Sequence, residues 1–220
     1  MDIADGLIQY LMLIALLTFH EFGHAWTAWK CGDDTAKRQG RVSLNPVVHI
    51  DPIGTIVLPL LMIFLPIFGG SGGVKVAGFM IGWAKPVPVN LTNLKNRNWD
   101  DVLITLAGPG MNLLLAVVLV GLARVMQSFD CDLGFELCLR AASLSLLLCF
   151  FNMIPIPPLD GSHIMRKITG MTYETHLRIS RYGIFLIIIF LQIPGVRTVL
   201  GTVCERTLFF LCRVFHVELF

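Results

Sequence analysis

Charged residues are scarce in this sequence. Only 15% of its 220 residues are Asp, Glu, Lys or Arg, against about 25% in typical soluble domains, whereas 55% are hydrophobic and the mean hydropathy is +0.73. This shortage of charge excludes an ordinary soluble globular domain. The net charge of +2 is spread over short loops and does not form a nucleic-acid-binding surface, so we expect no nucleic-acid partner.

Long polar stretches are also lacking, because apolar runs take up most of the chain. Four of these runs are about as long as the roughly 20 residues that cross a bilayer core, and they cover residues 6–29, 53–74, 102–123 and 141–159. A last run, 182–204, is interrupted by Pro194, Gly195 and Arg197, and the tail 207–220 is apolar but short. The chain outside these runs is too short for a separate soluble domain, which needs at least about 50 residues. We therefore predict an all-α polytopic membrane protein with about five to six membrane segments, folded as a single membrane-embedded domain over residues 1–220.

Two further features are missing. The six cysteines contain no paired C-x-x-C spacing and are too sparse for a disulfide scaffold, so we interpret most of them as apolar filler in helices. Cys131 and Cys138 are the pair that an oxidising environment could join, with two free thiols as the alternative. The first apolar run has no basic segment before it and no small-residue cleavage site, so we expect it to be retained as a span.

The distribution of Lys and Arg predicts the topology. Basic residues follow the first span at Lys30 and cluster again at 166–181, whereas the connection at 130–137 is acidic. By the positive-inside rule the N-terminus and the acidic connection lie outside, and residues 30–51 and the later basic stretch lie in the cytoplasm. A single crossing at 53–74 would reverse this order, and that run contains prolines and the glycine-rich segment Gly69–Gly73. We therefore predict a re-entrant element between the first and third spans, with short extended edges at Val74–Val76 and Pro86–Val89 or, as an equal alternative, a plain loop.

The first span carries the pattern His20-Glu21-Phe22-Gly23-His24 near its predicted cytoplasmic end. Residues i and i+4 of a helix are separated by about 40° of rotation and 6 Å of rise, so both imidazoles can reach one metal ion. Glu21 lies close enough to take a proton from a water at that ion. Ionisable groups inside a membrane span are expensive and are functional by default. The pattern thus predicts a metal-dependent hydrolase, with zinc as the expected ion although other divalent metals accept the same ligands.

A third ligand is expected for catalytic zinc, and Asp160 is the candidate. It ends the fourth apolar run, which the charge distribution orients from outside to inside like the first, so both sites would have the same membrane depth. The alternative is that Asp160 is only a turn residue in an Asp-Gly pair.

Several motifs together give the chain a plain resemblance to the site-2 protease family of intramembrane zinc metalloproteases. They are His20-Glu21-x-x-His24, Ala107-Gly108-Pro109-Gly110-Met111-Asn112 and Asn152-x-x-Pro155-x-x-x-x-Asp160-Gly161. Three more resemble the smaller prokaryotic branch, namely Gly40-Arg41-Val42-Ser43-Leu44-Asn45-Pro46, His49-Ile50-Asp51-Pro52-Ile53-Gly54-Thr55 and Gly82-Trp83-Ala84-Lys85-Pro86-Val87-Pro88-Val89-Asn90. Together these motifs cover residues 20–161.

The resemblance implies zinc held by His20, His24 and Asp160, Glu21 as the base, and Asn152 holding the scissile peptide or its oxyanion. An interhelical hydrogen bond is the alternative for Asn152. The implied substrates are single-span or otherwise membrane-embedded proteins in a prokaryotic cell membrane, cut near the cytoplasmic side of the bilayer. Many relatives carry a PDZ domain, for which the connection between the third and fourth spans here is too short.

The remaining polar residues receive structural interpretations. Asn112 is expected to mediate close helix packing. The histidines His49, His163, His176 and His216 are expected to lie in loops or interfaces, and His163 is also a candidate partner of Asp160.

Two other functions compete with the protease. A membrane metal-ion carrier would need the ligands but not Glu21, and an inactive helix-binding homologue would need neither, although the intact ligand set counts against it.

Overall fold

A computed structural model of the chain describes residues 3–68 and 82–218, without the side chains of residues 65–68 and of Asn98. Within these residues every regular element is helical, which confirms the predicted all-α class. The chain falls into two compact units, residues 1–97 and 98–220.

The first unit is organised on α1, Ile3–Lys30, which contains the predicted span 6–29. The helix ends at Lys30, and Gly32, two residues later, has a φ of +108°, in the left-handed region that favours glycine. A short helix α2, Thr35–Arg38, follows, then a 3-10 helix, Pro46–His49, and a π-helical turn, Pro52–Val57, that continues into α3, Leu58–Phe68. Asn45 and Asp51 cap the latter two turns through their side-chain oxygens.

The run 53–74, for which we predict a re-entrant element and not a single crossing, contains no helix of spanning length among the described residues. Its described part is the π-helical turn and α3, and the re-entrant element stays a prediction because residues 69–81 lie outside the described residues. The glycine-rich segment and Val74–Val76 lie outside the described residues. Residues 82–90 form no strand, so the plain-loop alternative describes them. This loop is firmly anchored, because the Trp83 amide donates to the Gly54 carbonyl and the Lys85 amide donates to the His49 carbonyl. The buried Arg41 guanidinium also donates to the carbonyls of Lys85 and Pro86.

The second unit begins with α4, Arg97–Ser128, and α5, Asp132–Asn152. The connection between them is only three residues long, which leaves no room for an inserted PDZ domain, as predicted. Small residues such as Ala116 and Ala142, both fully buried, share a core with Leu146 and with residues of α9. At the same contact the Ser145 hydroxyl donates to the Asn112 carbonyl over 2.7 Å, so Asn112 takes part in helix packing as predicted.

The predicted bounds of the fourth span, residues 141–159, are wrong. The helix α5 begins earlier, at Asp132, and ends at Asn152, because the following residues include Pro155, Pro157 and Pro158, whose nitrogens cannot donate the hydrogen bonds of a helix. Residues 153–160 form turns that lead into α6, Gly161–Thr169, and α7, Tyr173–Ser180.

The C-terminal apolar region contains α8, Gly183–Gln192, and α9, Pro194–Val214. The two helices meet at Pro194 with a bend of 87°, and the first part of the apolar tail 207–220 is the end of α9. Among the described residues three helices, α1, α4 and α5, are long and apolar enough to cross a membrane, or four if α8 and α9 count as one span. The chain is therefore an integral membrane protein, and the count of five to six segments stays a prediction.

Candidate metal centre

Two imidazoles converge on the buried face of α1. His20 and His24 are 4% and 8% exposed, and their Nε2 atoms lie 3.1 Å apart with the rings nearly perpendicular. Two nitrogens bound to one tetrahedral zinc ion at the usual bond length are about 3.3 Å apart. The spacing, burial and chemistry of this pair therefore fit two ligands of one zinc ion, as the i, i+4 pattern predicts.

Glu21 lies beside the pair and is only 9% exposed. In the part of the chain that the structure describes, its carboxylate makes no hydrogen bond or ion pair. A buried carboxylate without a structural partner destabilises a fold. Its presence is explained if the carboxylate serves a reaction.

Asp160 belongs to the second unit, between the turns of residues 153–159 and the start of α6. It is half-buried and occupies the N-cap position of α6, yet its side chain makes no capping hydrogen bond. The turn-residue alternative would use the carboxylate in that bond. The role of Asp160 as the third ligand stays a prediction.

Asn152 is the last residue of α5 and is half-buried. Its side-chain amide donates to the Leu148 carbonyl of the same helix over 2.9 Å, not to another helix. One amide N–H is thereby engaged and the second has no partner among the described residues. The oxyanion role of Asn152 stays a prediction.

Among the described residues, the other histidines belong to no group of three or more candidate metal ligands. His49 is 2% exposed and its Nε2 lies 2.8 Å from the Ser43 carbonyl. His163 and His176 lie on α6 and α7 with ring centroids 4.8 Å apart, and His216 is exposed in the turn after α9. His163 and His176 thus contact each other from two helices, as the interface interpretation expects, and the role of His163 as a partner of Asp160 stays a prediction.

Sequence reasoning missed a buried ionic cluster in the second unit. One oxygen of Asp101, at the start of α4, accepts from Arg166 over 2.9 Å and from Lys167 over 3.1 Å. Asp101 is 6% exposed. Asp101 and Arg166 are 65 residues apart in the sequence. The one feature of the sequence that could have indicated this cluster is the acidic pair Asp100-Asp101 at the beginning of an apolar run.

Comparison with known proteins decides the family. The family model described as peptidase family M50 matches residues 8–138 and 133–193. The chain is 35% identical over 199 residues to YwhC of Bacillus subtilis, which is named as a candidate zinc metalloprotease, and the alignment covers 86% of this chain and 83% of YwhC. The chain belongs to peptidase family M50.

Two mycobacterial relatives, both called Rip2 and also named as candidate zinc metalloproteases, are similar over shorter parts of their length. The Mycolicibacterium smegmatis protein is 31% identical over 188 residues, which cover 81% of this chain and 64% of the relative. The Mycobacterium tuberculosis protein is 33% identical over 156 residues, which cover 69% and 55%. No solved structure matches the chain significantly.

Membership of the M50 family confirms the predicted resemblance to the site-2 proteases. It also confirms the class of activity, a metalloprotease, and the metal, zinc. The family assignment and the apolar helices agree in making this protein a membrane protease.

Proposed function

We propose that this protein is a zinc-dependent endopeptidase that hydrolyses peptide bonds within membrane-embedded segments of other proteins. The observation that carries this proposal is the buried constellation on α1, in which two imidazole nitrogens converge over 3.1 Å next to a partnerless carboxylate. In this proposal His20, His24 and Asp160 hold the zinc ion. Two imidazoles and one carboxylate are a ligand set typical of catalytic zinc, which keeps one position open.

Bound zinc would supply Lewis acidity that polarises the scissile carbonyl and activates water. Glu21 takes one proton from the attacking water as its oxygen bonds to the carbonyl carbon, and then delivers that proton to the leaving nitrogen as the C–N bond breaks. Asn152, with one free amide N–H, would donate to the oxygen that becomes negative. Such donors typically contribute about 3 to 4 kcal/mol of transition-state stabilisation.

The position of the site supports cleavage inside the bilayer. His20, Glu21 and His24 lie within a 28-residue apolar helix, and water is scarce around such a segment. The basic residues after α1 favour the cytoplasmic side for this end, and the relatives YwhC and Rip2 are bacterial proteins. We therefore assign the protein to a prokaryotic cell membrane, with its active site near the cytoplasmic face and with transmembrane segments as substrates.

The decisive experiment compares wild type with Glu21→Gln in liposomes that contain a library of single-span peptides. Gln keeps the size of Glu but cannot take a proton, so cleavage should fall by about 100-fold to 10,000-fold while zinc content stays normal. Glu174→Gln is the matched control, because Glu174 is exposed on α7. Wild-type turnover by Glu21→Gln would refute the assigned mechanism, and product masses that map outside any hydrophobic segment would refute intramembrane cleavage.

The same liposomes discriminate the competing functions. A metal-ion carrier would move zinc across the bilayer in the Glu21→Gln variant as in wild type, whereas the proposed protease moves none. An inactive homologue would bind peptides without cutting them. Zinc affinity of Asp160→Ala tests the third ligand separately, and wild-type affinity in that variant would remove Asp160 from the site.

A further inference from the structure

A buried serine holds the turn on which Asp160 lies. Ser162 is fully buried, and its hydroxyl lies 2.6 Å from the Leu159 carbonyl and 2.9 Å from Nε2 of His176. The hydroxyl has a single hydrogen, which it donates to the Leu159 carbonyl, so it must accept from the imidazole N–H. The residue before Asp160 is thus tied, through Ser162, to a histidine on α7.

His176 is suited to this donor role. It is 3% exposed, and burial, with His163 and Arg166 as smaller contributors, lowers the pKa of His176 to about 4. The ring is therefore neutral near pH 7, and the hydrogen bond to Ser162 places its one proton on Nε2.

Backbone packing fixes the same turn from two other sides. A Cβ at Gly161 would lie 2.2 Å from the Met153 carbonyl oxygen, so the residue after Asp160 must be glycine for the chain to pass there. A Cβ at Gly183, the first residue of α8, would lie 2.4 Å from the Pro157 carbonyl oxygen. The segment that carries Asp160 is therefore held by contacts with three helices, namely the end of α5, α7 and the start of α8.

Metal ligands need such support, because small displacements of a ligand weaken metal binding. We propose that Ser162 and His176 are positioning residues that hold the Asp160 carboxylate in its metal-binding orientation. This inference rests on the proposed function, in which Asp160 is a zinc ligand. Neither side chain would contact the metal or the substrate, and both would act through the turn.

The test measures zinc affinity by chelator competition in detergent for Ser162→Ala, His176→Phe and His176→Gln. We expect Ser162→Ala and His176→Phe to bind zinc about 10-fold to 100-fold more weakly than wild type. His176→Gln keeps a donor that can reach the serine and should recover part of the loss. The thermal stability of each metal-free variant is measured in parallel.

Ser145→Ala is the matched control. Ser145 is also fully buried and also donates to a main-chain carbonyl, that of Asn112, over 2.7 Å, but it lies between α4 and α5. If the serines only stabilise the fold, both alanine variants will lower stability and leave zinc affinity unchanged. The proposal requires that zinc affinity fall in Ser162→Ala and stay at the wild-type value in Ser145→Ala.

Asp160→Ala separates the two hypotheses. Loss of zinc affinity in Asp160→Ala with wild-type affinity in Ser162→Ala overturns the positioning role and leaves the proposed ligand intact. Wild-type zinc affinity in Asp160→Ala overturns the ligand assignment and the positioning role with it. If His176→Phe fails to fold, Ser162→Ala, which removes a single oxygen, still decides the question.

Discussion

Removal of the Asp33 carboxylate should weaken the first unit. Asp33 follows α1 and is fully buried, and its carboxylate accepts four hydrogen bonds. Two come from the main-chain amide and the hydroxyl of Thr35, over 3.1 and 2.5 Å. The third comes from the main-chain amide of Asn90 over 2.6 Å, and the fourth from the side-chain amide of Asn93 over 3.0 Å. The carboxylate thereby joins the end of α1 to a loop almost 60 residues away.

The expected effect of Asp33→Ala follows from these bonds. In this variant the two donor groups of Thr35, which is close to residue 33 in the chain, can bind water instead. The main-chain amide of Asn90 and the side chain of Asn93 lose the acceptor that holds their loop against the end of α1. Hydrogen bonds to a charged group contribute about 1.5 to 3 kcal/mol each, so the loss of these two should lower the stability of this unit by about 3 to 6 kcal/mol. Asp34→Ala is the control, because the Asp34 carboxylate forms an exposed i, i+4 ion pair with Arg38, worth at most about 1 kcal/mol.

The effect should also depend on pH in one direction. Burial alone would raise the pKa of Asp33, but the hydrogen bonds from Thr35, Asn90 and Asn93 outweigh burial and hold the pKa below its ordinary value of 3.8. A carboxyl whose folded pKa is depressed stabilises the fold fully above its unfolded pKa, and this contribution is lost as the pH falls through the folded pKa. The difference between wild type and Asp33→Ala should thus be constant from pH 5 to 8 and shrink below pH 3.8.

The assay uses Cys31 as the sole cysteine, because its carbonyl accepts from the Lys95 amide next to this contact. A loss of 3 kcal/mol raises the population of the opened form about 100-fold, and the labelling rate of Cys31 should rise in proportion. Labelling of Asp33→Ala within threefold of the Asp34→Ala control, at pH 7, would refute the reasoning.

Three further outcomes are expected. Asp101→Asn leaves the two basic side chains of α6 without their shared carboxylate and should lower the stability of the solubilised protein by about 3 kcal/mol, so a thermal midpoint equal to that of wild type would contradict it. Gly161→Ala should destabilise the protein by at least about 1 kcal/mol through overpacking. Gly110→Ala, where a Cβ would meet nothing within 4 Å, should not destabilise it, and equal melting temperatures of the two variants would contradict this expectation. A cysteine at Thr35 in an otherwise cysteine-free protein should react with a membrane-impermeant thiol reagent only from the cytoplasmic side, and labelling from outside would overturn the topology.

Features that depend on neighbouring residues could be predicted from the sequence. The helices α1 and α4 are long apolar runs, and helix formation inside a membrane follows from the need to satisfy every backbone group internally. The convergence of His20 and His24 is equally local, because a single turn of helix fixes it. The span at 141–159 was misplaced because hydropathy does not register that three closely spaced prolines end a helix.

Features that depend on distant residues could not be predicted. Asp33 and Asn90 are 57 residues apart, and Ser162 and His176 belong to different helices separated by a turn. Periodicity and motif spacing carry no information about which distant donors meet which acceptors. The bend between α8 and α9 is intermediate, because Pro194 marks its position while the angle depends on packing.

The buried carboxylates of the described residues supply the strongest internal argument for the catalytic assignment. They are Glu21, Asp33 and Asp101, each less than 10% exposed. The Asp33 carboxylate accepts four hydrogen bonds, and the Asp101 carboxylate forms ion pairs with Arg166 and Lys167. Both of these buried carboxylates therefore have polar partners that stabilise the fold. Glu21 has no such partner in the same residues, although it lies one residue from an imidazole. The low exposure of Glu21 has no such structural explanation, and this, with the neighbouring pair of imidazoles, supports the proposed role of Glu21 in proton transfer at a zinc site.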